Sequence, residues 1–251
     1  MSAKKFITYQ EAITLNDIVS LGKPSPKESK IRSIREVLGP NILPPHKVHI
    51  PEKKKQMTYD EARIVLYKIY HHQLKGRKAE FTKDQSLIIK NALKYFVNDE
   101  SSIYDLNKGL YVFGDYGRGK TLMNKCLFTL CKYIERDNIQ SLYKFYEYEQ
   151  LVHDAKDTGS STFIRKLGKN VFIDDIGYQG QSMINIYGNK EDFVTSIIKV
   201  RHSRFMRGGH KTYFTSNLTI DQIKEYHSEG TSGRIEEMCN VIFFDGKSLR
   251  K

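Results

Sequence analysis

Proline is missing from everything after Pro51 and crowded before it. Pro24, Pro26, Pro40, Pro44, Pro45 and Pro51 are the six prolines of the 251-residue chain, and they share their segment with Gly22, Ser25, Ser29, Gly39 and the run Lys53-Lys54-Lys55. That composition reads as a linker over residues 22–56, following a small N-terminal unit, and the proline-free remainder suits a domain of regular elements. Cysteine is scarce: of three, Cys126 and Cys131 sit close together in a helical stretch and Cys239 is remote. This arrangement supports neither a disulfide framework nor a zinc site, so the thiols read as reduced, small, buried apolar groups. The eight histidines form no HExxH-type pattern, and no metal is assigned to them. No apolar run approaches the roughly 20 residues of a membrane helix. The opening MSAKKFITYQEAITLND alternates charged and apolar residues where a signal peptide needs an unbroken apolar centre. A cytoplasmic protein with no membrane partner is expected.

Negative charge is in deficit, with 29 Asp+Glu against 41 Lys+Arg and a net charge of +12. The excess lies mainly towards the N-terminus, net +8 over residues 1–100 and +4 over residues 101–251. A basic surface of this kind suits nucleic acid or an acidic protein partner, or is simply solvated.

Three helix starts are announced by capping boxes, in which a Thr hydroxyl and a Glu or Gln three residues later satisfy each other's backbone N–H groups. They are TYQE at Thr8, TYDE at Thr58 and TKDQ at Thr82. The second continues with Ala62, Val65, Leu66 and Ile69, and the third with Ile89, Ala92, Leu93 and Phe96, each set marking one apolar face.

The pattern changes at Gly109-Leu110-Tyr111-Val112-Phe113, an apolar run that reads as a buried parallel strand. GDYGRGKT follows over residues 114–121 and matches G-x-x-x-x-G-K-[ST] throughout, and a helical pattern of Leu122, Cys126, Leu130 and Tyr133 comes next. Strand, glycine loop and helix together describe a phosphate cradle. Gly114, Gly117 and Gly119 let backbone N–H groups of the loop, which also contains Asp115, Tyr116 and Arg118, curl around phosphate oxygens. The helix N-terminus at Leu122 adds its dipole. Lys120 would neutralise the β and γ phosphates of ATP, and the Thr121 hydroxyl would reach Mg²⁺. A second acidic strand, Val171-Phe172-Ile173-Asp174-Asp175, supplies the carboxylates such a site needs. Asp174 would hold the metal through water, and Asp175 would orient or deprotonate the attacking water. Thr212-Tyr213-Phe214-Thr215-Ser216-Asn217 reads as a further strand, followed by a capping box from Thr219 to Gln222. In a parallel sheet, Asn217 would project beside the γ phosphate.

In this order the motifs resemble the AAA+ ATPases of the DnaC/DnaI helicase-loader group and their relative IstB, a transposition ATPase. The resemblance runs from about residue 108 to 251 and rests on KGLYVFGDYGRGKT, VFIDDIG, TYFTSNL and the C-terminal GRIEEMCNVIFFDGKSLR. It implies an α/β fold of P-loop NTPase, AAA+ type, a parallel sheet flanked by helices over 108–251; the helical lead-in over 57–107 and the small helical partner-binding module with its linker over 1–56 are read from composition and capping boxes, and that module is not identifiable by resemblance. The resemblance also makes Asn217 look like sensor 1, Arg234 like the arginine finger and Arg250 like the sensor-2 arginine. The implied activity is ATP hydrolysis with Mg²⁺ in an oligomer or mixed AAA+ assembly, serving to deliver a replicative helicase to single-stranded DNA. An IstB-like regulator that assembles on duplex DNA and engages a transposase is the alternative. The chain departs from the pattern in ending its second acidic strand Asp-Asp where AAA+ proteins commonly have Asp-Glu. A shorter acid at Asp175 implies slow hydrolysis.

Two basic clusters are candidates for nucleic acid. Arg201, Arg204 and Arg207 recur every three residues in a helical stretch with apolar Ile197, Ile198 and Val200, and Arg165, Lys166 and Lys169 precede the Asp-Asp strand. Either could track a phosphate backbone or be a solvated surface. Tyr143, Phe145, Tyr146 and Tyr148 look like base-stacking material but fit a core strand better.

Overall fold

Capping sets where the first described helices begin. In the computed structural model, which describes residues 57–76, 80–135, 142–159, 167–177, 183–186 and 189–249, the Thr58 and Thr82 hydroxyls accept from the N–H groups of Glu61 and Gln85. Those side chains accept in return from the threonine N–H groups. Helices α1 (Tyr59–Leu74) and α2 (Lys83–Phe96) follow. The module and linker expected over 1–56, with the Thr8 box, lie outside the described residues.

Strand β1 (Gly109–Phe113) runs through the glycine loop into α3 (Lys120–Ile134), and β2 (Tyr143–Glu147), α4 (Tyr148–Thr158) and β3 (Asn170–Asp174) come next. An antiparallel hairpin of β4 (Met183–Ile186) and β5 (Asn189–Asp192), which the sequence patterns did not suggest, leads into α5 (Phe193–Gly208). The described chain continues through β6 (Thr212–Ser216), α6 (Ile220–Tyr226), α7 (Glu229–Met238) and β7 (Cys239–Phe243). The Thr219 hydroxyl accepts from Gln222 N–H and completes the capping box expected there.

Five strands form one parallel sheet in the order β2-β3-β6-β1-β7. Because β6 lies between β1 and β3, the three strand ends that precede the glycine loop, Asp175 and Asn217 are neighbours. Val112 stands opposite Thr215, and Ile173 opposite Phe214. Alternation along the strands then divides the side chains between two cores. Leu110, Val112, Phe172, Tyr213 and Ile242 share one with α1, α2 and α3 through Val65, Ile69, Leu93, Leu127 and Leu130. Tyr111, Val171, Ile173 and Phe214 share the other with Leu151, Val194, Ile197 and Ile235. The 57–107 segment thus packs into the same core as the P-loop helix. The aromatic run is core material: Phe172 stacks on Tyr213 at 4.4 Å between centroids, Tyr143 lies 6.0 Å from Phe172, and Phe145 lies 5.4 Å from Phe128. All three cysteines are buried, and burial pushes the Cys126 thiol up to about 12, so it is neutral at physiological pH. Among the described residues no helix is long and apolar enough to cross a membrane.

The expected arginine stripe on α5 needs correction. Arg201 is fully buried, and its guanidinium donates from Nε to Thr212 Oγ1 at 2.8 Å, from Nη1 to Gly168 O at 2.9 Å, and from Nη2 to Lys169 O at 2.7 Å and Lys211 O at 3.1 Å. Four residues after Ile197, it falls on the apolar face of the helix rather than the solvent face. Burial, with the Arg204 charge adding to it, lowers its pKa to about 10, which leaves it charged at neutral pH. Arg204 also turns inward, donating to Leu167 O and, at 3.2 Å, to Gly168 O. Arg207 and Lys169 remain exposed, while Arg165 and Lys166 lie outside the described residues. Arg201 is therefore a clamp across the strand starts at β3 and β6. Arg201→Met should lower unfolding stability by about 3 kcal/mol, because the acceptors it serves lose their donor. A urea titration checks this, and a loss below about 1 kcal/mol would contradict the clamp.

Candidate functional site

The loop after β1 begins at Gly114, where φ is 151°, and bends again at Gly117 (76°) and Gly119 (96°), values that side-chain-bearing residues rarely adopt. Gly119 is the N-cap of α3, so Lys120 opens the helix. Its ammonium, buried to 6% exposure, donates to Gly114 O at 2.7 Å, Asp115 O at 2.8 Å and Asn217 Oδ1 at 2.7 Å. The Asn217 amide passes the contact on, Nδ2 donating to Asp175 Oδ1 at 2.6 Å. One chain of hydrogen bonds therefore joins the loops after β1, β6 and β3, and it contains three of the residues that the sequence motifs single out.

Asp174 lies beneath that chain, 5% exposed, with Oδ1 accepting from Thr215 Oγ1 at 2.6 Å and from Asn124 Nδ2 at 3.3 Å. Thr215 Oγ1 also accepts from the Asp175 N–H at 2.8 Å, so one hydroxyl holds both acids. Asp175 itself has φ of 59°, a left-handed conformation unusual outside glycine. The turn it starts is stitched to the end of β6, since Ile176 N–H donates to Thr215 O at 2.9 Å and Ser216 Oγ to Ile176 O at 2.7 Å. Motif reading missed Thr215 and Asn124. A usable signal existed: Asn124 follows Lys120 by one helical turn, and Thr215 is a hydroxyl in an otherwise buried strand.

The other sequence candidates are distributed around this centre. Thr121 is exposed on the first turn of α3, and Leu122 packs partly against the first core. Tyr116 is 54% exposed. Asp115 pairs through Oδ2 with Arg118 Nη2 at 3.1 Å, and the Arg118 side chain is committed to the C-terminal segment. Arg234 is not a member of the Lys120 chain of hydrogen bonds; its Nη1 donates to Gly230 O at 2.6 Å within α7. Arg250 lies outside the described residues.

The residues fit a nucleoside triphosphate with a divalent cation. Glycines at three positive-φ positions, a helix N-terminus opening on a lysine, and a buried carboxylate held against the same helix by Asn124 make an anion cradle whose donor set suits a hard cation as well. The strand order and the glycine loop define the fold. It is an α/β fold with a P-loop on a parallel sheet.

No family model matches the chain, and no curated protein matches it. Among solved structures the fold seen here is similar to the DnaC helicase loader, with a TM-score of 0.48 and 18% identity over 66% of this chain and 93% of that one. It is also similar to DnaI, at 0.42 and 18% over 90% and 100% of the two chains. Domain III of the Thermotoga maritima replication initiation protein DnaA scores 0.45 at 17% identity, over 64% and 62%.

The doubly used hydroxyl of Thr215 can be tested without any ligand. Thr215→Val keeps the side-chain shape but removes the shorter of the two hydrogen bonds to Asp174 Oδ1 and the acceptor of the Asp175 N–H, and should cost about 1–3 kcal/mol in a denaturant titration. Thr215→Ser should stay near the parent protein. Equal losses in both would mean the hydroxyl is not the feature that matters.

Proposed function

We propose that this chain is an ATP-dependent loader that binds ATP and Mg²⁺ and delivers a replicative helicase to single-stranded DNA. Nucleotide use rests on the hydrogen-bond chain from Lys120 through Asn217 to Asp175. The loader role rests on the resemblance of the C-terminal GRIEEMCNVIFFDGKSLR to helicase loaders.

In this reading the loop N–H groups and Lys120 hold the phosphates, and Thr121 and Asp174 hold the metal ion, which when bound would screen phosphate charge. Asn217 keeps Asp175 aimed, and Asp175 accepts the proton of the attacking water. The acid is one methylene shorter than a glutamate and is held by its backbone in a left-handed turn, which fits slow hydrolysis and a role for ATP as a switch. Arg234, engaged within α7 and not a member of the Lys120 hydrogen-bond chain, fits a finger for a neighbouring subunit's nucleotide in an oligomer or mixed assembly. With Arg201 and Arg204 turned inward, DNA contact falls to Arg207 and Lys169, together with Arg165, Lys166 and the basic N-terminal portion.

Titration with a fluorescent ATP analogue checks the nucleotide part. Lys120→Ala should weaken binding by roughly tenfold or more, since three acceptors and the phosphates lose their cation, and Asp175→Asn should bind yet fail to turn ATP over. Unchanged affinity in the Lys120 variant would remove the loop from nucleotide binding.

The partner is tested by truncation. Deleting residues 1–56 should leave ATP binding intact and abolish capture of the replicative helicase, because the short capped segment with Ile13, Val19 and Leu21 gains stability on another protein's surface. Undiminished capture would move the partner surface to the ATPase domain. Capture of a transposase with preference for duplex DNA would favour the IstB-like reading instead.

A further inference from the structure

The end of the chain returns over the glycine loop. Beyond β7, Phe244 N–H donates to Phe113 O at 2.7 Å and Leu249 N–H to Gly117 O at 2.8 Å. Between these points Arg118 donates from Nη1 to Gly246 O, and its Nε lies 3.5 Å from Asp245 Oδ1. Gln85 of α2 donates from Nε2 to Arg118 O at 2.8 Å. The three parts fit closely. A Cβ on Gly246 would come within 2.5 Å of the Gln85 side chain, one on Gly119 within 2.6 Å of Leu249 Cδ1, and one on Gly114 within 2.5 Å of Phe244 O. Gly114 is therefore required by this cover as well as by its dihedral angle, since it meets backbone, whereas at Gly119 the dihedral angle is the stricter demand because the Leu249 side chain can turn aside.

A trans peptide plane is rigid, so a carbonyl and the N–H of the next residue point in opposite directions. With Gly117 O held by Leu249 and Arg118 O held by Gln85, the N–H groups of Arg118 and Gly119 are turned away from the strap and from α2. Donors fixed before an anion arrives need no ordering when it binds. We infer that residues 244–249 are a strap that, with Arg118 and Gln85, pre-sets the hydrogen-bond donors of the loop. Arg118 is then a positioning residue: it acts on nucleotide affinity through the loop backbone and not by placing its charge on a phosphate. The inference rests on the reading of this loop as a nucleotide site.

One substitution gives opposite signs for the two roles of Arg118. Asp245→Asn removes a negative charge near the anion cradle, so electrostatics alone would tighten binding of an anionic nucleotide. The strap predicts weaker binding, because the guanidinium loses its ionic partner in the strap and keeps only Asp115, which belongs to the loop itself. In titrations of the full chain with a fluorescent ATP analogue, Arg118→Ala should bind about tenfold more weakly and Asp245→Asn about threefold more weakly. The double variant should be no worse than Arg118→Ala alone, because both changes break one linkage. Arg118→Lys keeps the charge without the planar fork and should stay weakened; it also serves if thermal melting shows that the alanine variant does not fold. Asp245→Asn binding as well as or better than the parent, additive losses in the double variant, or full recovery in Arg118→Lys would each overturn the strap. Lys120→Ala is run alongside. If it binds normally, the nucleotide reading fails with the inference; if it binds poorly while the Arg118 and Asp245 variants bind normally, only the strap is refuted.

Discussion

The Lys120 ammonium holds together what the rest of the site depends on. A cation at 6% exposure is tolerable only when its donors are used, and here they are used on the loop it belongs to and on Asn217. That second contact works because β6 is inserted between β1 and β3. Were β3 next to β1, Asp174 and Asp175 would lie against the loop directly, and no residue would stand between cation and acid. The inserted strand puts an amide there, which can accept from the lysine and donate to the acid at once.

The same insertion explains why the two cores are both needed. Strand positions alternate, so every buried side chain on one face of β6 has a neighbour on the other: Tyr213 faces the first core, Phe214 the second. Helices cover both faces, which leaves only the carboxyl edge of the sheet for chemistry. Thr215 and Ser216, buried near that edge, are polar because they serve the turn after β3 rather than either core.

Much of this was legible in the chain because it is local. A glycine loop, an apolar strand, a capping box and an acid pair are each spelled within a few consecutive residues, and the helices at Thr58, Thr82 and Thr219 start where their boxes stand. Arg201 was misread for the opposite reason. Three arginines at regular spacing look like a charged face, and only the carbonyls of residues 168, 169 and 211, brought together by the strand order, make a buried place for one of them. The β4–β5 hairpin is short and lacks a continuous alternating pattern with a strong turn signal, so nothing announced it. Asn124 lies outside every motif, and Thr215, Gln85 and the segment after Phe244 sit in motifs that do not spell the distant contacts they make. Contacts between positions far apart in sequence leave no periodic trace.

The handedness of the backbone at Asp175 has a consequence for the identity of the acid. At φ of 59° the side chain competes for space with its own peptide groups, and Asp and Asn are the non-glycine residues that bear this most easily. A glutamate, though longer in reach, would bring more strain into the turn that Thr215 and Ser216 stitch to β6. Length of the acid and shape of the turn are therefore one trait rather than two, and a chain that closes its acidic strand this way is held to the shorter carboxylate by its own backbone.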